Sequence, residues 1–210
     1  MRLKAGLAML LSASMLAGCA SGPDVRTTSY RRQQPTPVRS LLIVVDDRLF
    51  ERAHLKREGG HFTSSLGGTL KNTAGSIPVA LLQIDSEADA RTLPRTLLAT
   101  HATQIMTVTA VSTRANLRGY AEATWQLTLS DVTATLVPDE HDASQMNTRV
   151  ETRPFYQQEI DTILWKGLDA LIGGTEKNGE AMGQAIAARL RADHALRPDP
   201  SVSAGIVSTR

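Results

Sequence analysis

Cysteine occurs once in the 210 residues, as Cys19, so no disulfide can form within the chain. Aromatic residues are scarce, with three Phe, three Tyr and two Trp. A core built from this chain must depend on Leu, Ile, Val and Ala. No apolar run reaches the roughly 20 residues that a membrane-spanning helix requires. Short-spaced catalytic signatures are missing too: there is no Gly-x-Ser-x-Gly elbow, no His-Glu-x-x-His and no glycine-rich phosphate loop. Catalysis is not indicated, and nothing calls for a cofactor or a metal.

The first residues contain no acid. Arg2 and Lys4 are followed by an apolar run from Ala5 to Leu16. At roughly 12 residues this run is too short to span a bilayer, and a basic start with a short apolar middle predicts a secretory signal peptide over 1–18. Leu16-Ala17-Gly18-Cys19 closes it. The tetrapeptide resembles the lipobox of bacterial lipoproteins. That resemblance implies cleavage between Gly18 and Cys19, lipid attachment (palmitate among the acyl chains) on Cys19, and a protein held at a membrane in the cell envelope. A single acyl chain binds only reversibly; the two or three chains of this family would hold the protein permanently. Ala20, at the second mature position, resembles the sorting class sent to the outer membrane of two-membrane bacteria, facing the periplasm.

Without residues 1–18 the chain has 21 basic and 21 acidic residues. It therefore has no bulk attraction for nucleic acid or anionic lipid. Residues 19–38 are rich in Ser, Thr, Gln, Pro and Arg with no apolar periodicity, which predicts a disordered, flexible tether. Fully extended, it would reach roughly 60 Å at about 3.3 Å per residue.

A single α/β domain is predicted over 39–197, with a disordered tail over 198–210. Leu41 to Val45 is a continuous branched apolar run, the pattern of a strand buried on both faces. Phe62, Leu66 and Leu70 mark one face of a helix, and Val79 to Ile84 a second buried strand. Pro94 breaks a helical stretch over 86–100, and Gln104 to Val111 forms a third strand. From Tyr120 to Val132 the alternation is strict: Ala121, Ala123, Trp125, Leu127 and Leu129 take one side. Residues 138–153 look like a polar loop. The apolar segment 155–172 fits either strand or helix. Met182, Ile186 and Leu190 define a last helix from about Glu176 to Ala195. This order predicts a mixed sheet of about four to five strands with helices packed on it.

The arrangement resembles the curli-secretion lipoproteins and the lipoprotein activators of penicillin-binding proteins. The shared features are the lipobox, the polar tether, the apolar strand Leu41–Val45, the helix Phe62–Leu70, the strand Trp125–Asp131 and a C-terminal helix. The resemblance implies a non-enzymatic accessory or adaptor for an envelope protein machine, with an envelope protein as partner. The auxiliary lipoproteins of lipid or lipopolysaccharide transport are a second similar group, and that alternative requires an apolar cleft. A hydrolase without a recognisable motif is a third reading.

Asp46 and Asp47 lie just past the first predicted strand, where α/β sites often form; a turn and helix cap explains them more simply. His54 and His61 are read as surface residues, and Asp139-Glu140-His141-Asp142 as a solvated acidic loop without calcium-loop spacing. Arg189, Arg191 and Arg197 give the last helix a basic end that complements its dipole.

Overall fold

A computed structural model describes residues 22–30, 37–52, 56–116, 120–139, 145–166 and 174–196. The expected signal peptide, Gly18 and Cys19, the expected tail, His54 and the Glu140–Asp142 segment lie outside the described residues.

The apolar run near residue 41 forms the inner strand of the parallel part of the sheet. It spans Leu41–Asp46 (β2), and its first five side chains are all buried. Such a strand needs a neighbour on each edge and cover on each face. Its edges are taken by Val79–Ile84 (β3) and Gln104–Asn116 (β4), both parallel to it. Parallel strands require crossovers, and helices supply them: Arg48–Arg52 (α1) and Lys56–Thr73 (α2) before β3, Glu87–Ala90 (α3) and Leu93–Thr100 (α4) after it. The strands Tyr120–Pro138 (β5) and Met146–Lys166 (β6) continue the sheet antiparallel, and Gly174–Ala192 (α5) ends the order. An N-terminal strand, Asp24–Tyr30 (β1), pairs with β6, giving the six-stranded order β1-β6-β5-β4-β2-β3. The fold is thus a single α/β domain with a mixed sheet, one strand richer than the sequence predicts.

Two cores lie on opposite faces of the sheet. The larger joins Leu41, Ile43 and Val45 of β2 with Trp125, Leu127 and Leu129 of β5, under Phe62, Leu66 and Leu70 of α2 and Met182, Ile186 and Leu190 of α5. The smaller joins Leu42 and Val44 with Ile84, Ile105, Val132 and Leu97 of α4. The strict alternation of β5 is what sends its odd-numbered residues to the larger core.

Three expectations require correction. The stretch 19–38, predicted as a flexible tether, contains β1. This strand is polar on its outer face, but Val25 packs on the larger core and its register with β6 runs from Asp24↔Asp161 to Tyr30↔Tyr156. Edge pairing needs no apolar run, so composition did not reveal it. Second, the loop predicted over 138–153 is mostly strand. β5 runs through Pro138 and β6 begins at Met146, because the two pair with each other and expose the charges that made the segment look like a loop. Third, β3 is an edge strand whose side chains are largely half-buried, not a fully buried one. The ambiguous segment 155–172 is strand as far as Lys166; residues 167–172 are not described. No helix among the described residues is long and apolar enough to cross a membrane.

Candidate functional site

The two carboxylates beyond β2 are divided between different tasks. Asp46 binds the Arg48 guanidinium at 2.7 Å, and the same guanidinium reaches Glu87 of α3 at 2.7 Å. These acids hold the Arg48 pKa above its usual value, chiefly through the hydrogen bonds to Asp46. Asp46 also accepts from the Arg48 backbone N–H two residues on, the contact of an Asx turn leading into α1. Asp47 turns inward and is 8% exposed; its Oδ2 accepts from Thr63 Oγ1 at 2.8 Å. Its Oδ1 has no hydrogen-bond partner among the described residues. The pair therefore straps α1 to α2 and α3 and does not converge on a cleft. His61 lies on the surface, with Nδ1 3.3 Å from Glu176 of α5. No group of three or more His, Cys, Asp or Glu among the described residues is placed to hold a metal ion.

Burial pushes the Asp47 carboxyl above the usual carboxylate range, and the hydrogen bond from Thr63 only partly offsets this. A carboxyl with a raised folded-state pKa holds its proton more tightly folded than unfolded. Stability is therefore lost as pH rises from the unfolded pKa toward the folded one. Asp47→Asn, which cannot ionise, should match the wild type near about pH 3 and exceed it near about pH 7. Denaturant titrations at both pH values test this. An Asn variant that is no more stable at the higher pH would show that the charged form is well satisfied.

A second polar cluster explains why β1 is held. Asp193 Oδ2 accepts from Thr27 Oγ1 at 2.8 Å, from the Tyr156 hydroxyl at 2.6 Å and from Arg189 Nε at 2.9 Å. Burial, and then the hydrogen bond to Asp193, drive the Tyr156 pKa up to about 12. Burial works against ionisation of Asp193, but the bonds from Tyr156 and Thr27 and the charge of Arg189 hold its carboxyl below the usual range. Arg189, assigned from sequence to the helix dipole, thus also ties α5 to β1. Arg191 lies in the last turn of α5; Arg197 is not described.

Two cavities are large enough to consider. One, of about 520 Å³, lies between the start of β1 and the β4–β5–β6 end of the sheet, lined among others by Asp24, Arg114, Glu122, Thr124, Asp161 and Ile163. The other, about 180 Å³, is apolar and sits under the ends of α2 and α5, beside Leu41, Leu70, Met106 and Leu190.

The feature with the clearest capacity for binding is the far end of the β5–β6 hairpin. The last β5 residue that opposes β4 is Asp131, at Gln104, and the described part of β1 ends opposite Tyr156 of β6. Val132 still donates its backbone N–H to the Thr103 carbonyl at 3.1 Å; beyond it, among the described residues, Thr133–Pro138 and Met146–Glu151 pair only with each other and form a two-stranded arm. Register places Val132, Ala134, Leu136 and Pro138 on one face with Thr152, Val150, Thr148 and Met146. The base of this face is embedded: Val132 is buried in the smaller core, and Ala134 and Val150 pack against it. Its outer half is bare, with Leu136 57% and Met146 53% exposed. Thr133, Thr135, Arg149 and Glu151 occupy the opposite face. An isolated hairpin is marginal in water, so the arm depends on its embedded base. The period-2 pattern in 132–138 and 146–152 was the available signal, and Arg149, Glu151 and Arg153 obscured it.

No protein-family model matches the chain, and no curated protein sequence matches it. Among solved structures it is similar to a PelC dodecamer from Paraburkholderia phytofirmans, at 13% identity and a TM-score of 0.40, covering 76% of this chain and 96% of that one. A second crystal form of that dodecamer gives 13% identity and a TM-score of 0.38, with 77% and 97% coverage. A homolog of the neuraminyllactose-binding hemagglutinin from Helicobacter pylori gives 9% identity and a TM-score of 0.28, with 79% and 94% coverage. At these TM-scores the likeness assigns the chain to no family and transfers no function to it.

Proposed function

We propose that this protein is a lipoprotein anchored through Cys19 in the outer membrane, facing the periplasm, and that it acts as a non-enzymatic accessory or adaptor by binding an envelope protein. The observation that carries the binding role is the arm, where an apolar stripe leaves the smaller core and ends bare at Leu136 and Met146. Exposed apolar patches of this kind mark interaction surfaces. The anchoring role rests on Leu16-Ala17-Gly18-Cys19. The alternative, an auxiliary subunit for lipid or lipopolysaccharide transport, needs an apolar cleft of roughly 300–1,000 Å³. Among the described residues, the cavity walled mainly by apolar side chains is about 180 Å³, and the one of about 520 Å³ is lined mostly by charged and hydroxyl-bearing residues, which favours the adaptor.

Two measurements test the reading. Cys19→Ser should move the protein from the membrane to the soluble envelope fraction; unchanged membrane retention would refute the anchor. For the arm, a photo-crosslinking residue at position 136 in intact cells should capture one envelope protein. Leu136→Ser combined with Met146→Ser should abolish capture from a probe at position 148. Because both side chains are exposed, the double variant should change stability by less than about 0.5 kcal/mol per site. Capture that persists undiminished in the double variant would remove the arm from the interface.

A further inference from the structure

Deepening the lipid-anchor reading, on which it rests, we infer that the domain is held with the β1 end of its sheet against the membrane headgroups and the β5–β6 arm directed away from them. The docking of β1 turns a long tether into a short leash. Only Ala20, Ser21, Gly22 and Pro23 separate Cys19 from Asp24. Five steps of fully extended chain span at most about 18 Å.

β1 is fixed at both ends and in the middle. Arg26 reaches Asp161 of β6 at 2.8 Å. Thr27 joins the Asp193 cluster, and the Tyr30 ring meets Tyr156 edge-on at 5.3 Å. The leash therefore starts at a known place. Asp24 is level with Asp161, which is level with Thr124, which is level with Ser112. Beyond that level lie the ends of the three long strands, at Asn116, Tyr120 and Lys166. This is the pole that the lipid would draw to the bilayer.

The arm is at the other extreme. From Asp161 to Met146 is fifteen residues of one strand, about 50 Å at about 3.3 Å each. With β1 paired, the leash is far too short to swing the arm tip round to replace the pole at the surface. The chemistry of the pole fits a headgroup layer. Asp24, Ser112, Arg114, Glu122 and Asp161 line its open groove, the side chain of Arg114 is 83% exposed, and Lys166 is exposed. Cations and carboxylates side by side complement phosphate and ammonium groups, and such a surface rests on headgroups without inserting. The bare stripe of Leu136 and Met146 is then presented to the periplasm, where a protein partner would meet it.

The test uses the full lipidated protein in vesicles of phosphatidylethanolamine and phosphatidylglycerol carrying acceptor-labelled lipid. Because Cys19 is the only native cysteine, and its sulfur is blocked when lipidated, Ala115→Cys and Thr135→Cys each provide one site for a donor dye. Energy transfer from position 115 should exceed that from position 135 several-fold. Inserting a 20-residue Gly/Ser segment between Ala20 and Ser21 should abolish most of that difference. Equal or reversed transfer, or a difference that survives the insertion, would overturn the orientation while leaving the anchor intact. An N-terminal peptide without acyl mass, with dye attaching to the otherwise wild-type protein at Cys19, would instead overturn the anchor and the orientation with it.

Discussion

Trp125→Ala should destabilise the domain by about 4 kcal/mol, in the range for truncating a buried large aromatic. Trp125 is fully buried in β5, and two helices converge on its indole. Phe62 of α2 stacks on it with ring centroids 5.4 Å apart and 17° between planes, and Phe50 of α1 meets it edge-on at 5.5 Å. With only eight aromatic residues in the chain, three are gathered at this point. Both ring pairs would be lost, each worth about 0.5–1.5 kcal/mol beyond area burial, and the helices cannot close over so large a void without leaving the sheet. Domains of this size are stabilised by only about 5–15 kcal/mol, so the melting temperature should fall by roughly 8–16 °C. Thermal and denaturant unfolding measure this. Trp125→Phe keeps a ring in place and removes an indole N–H that has no partner among the described residues; it should cost much less. Equal losses for the two variants would show that ring packing is not what Trp125 contributes.

The second large effect concerns the contact between α2 and α5. Gly179→Ala should cost about 3 kcal/mol, the upper part of the usual range for overpacking. A Cβ at Gly179 would lie 2.3 Å from the Phe62 carbonyl oxygen, a backbone atom that moves only if α2 moves. One turn later, a Cβ at Gly183 would lie 2.8 Å from the Thr69 side chain. The two glycines thus form the strip along which the helices touch. Gly68→Ala is the matched control. It sits inside α2 with nothing within 4 Å of its Cβ position, and alanine there should stabilise by up to about 1 kcal/mol through helix propensity. The same chemical change should therefore have opposite signs at two glycines. If Gly179→Ala proved neutral, the helices would have to be further apart than the structure places them.

These two results bear on how far the sequence could be read. Phe62, Leu66 and Leu70 revealed the apolar face of α2, but glycines inside a helix are by local propensity only a weakness. Their value lies in what faces them. A Cβ at Gly59 would meet the Phe50 ring at 2.3 Å, and one at Gly67 would meet Leu81 at 3.1 Å. Helix propensity is local, whereas a close approach is a property of two elements, so no window along the chain could have shown it. The carboxylates Asp46 and Asp47 were correctly located at a strand end. Their division into a half-buried ion pair and a buried acceptor depended on Arg48, Glu87 and Thr63 arriving from different elements.

By itself, the sequence determined the buried strand Leu41–Val45, the alternating face of β5, the helical faces of α2 and α5, and the α/β class, because each is written in a local period of apolar residues. Tertiary structure alone decided that Asp24–Tyr30 joins the sheet and that 133–138 and 146–151 form an arm. Both are ordered by strand pairing, and a strand's backbone hydrogen bonds depend on a partner remote in the chain, not on its own side chains.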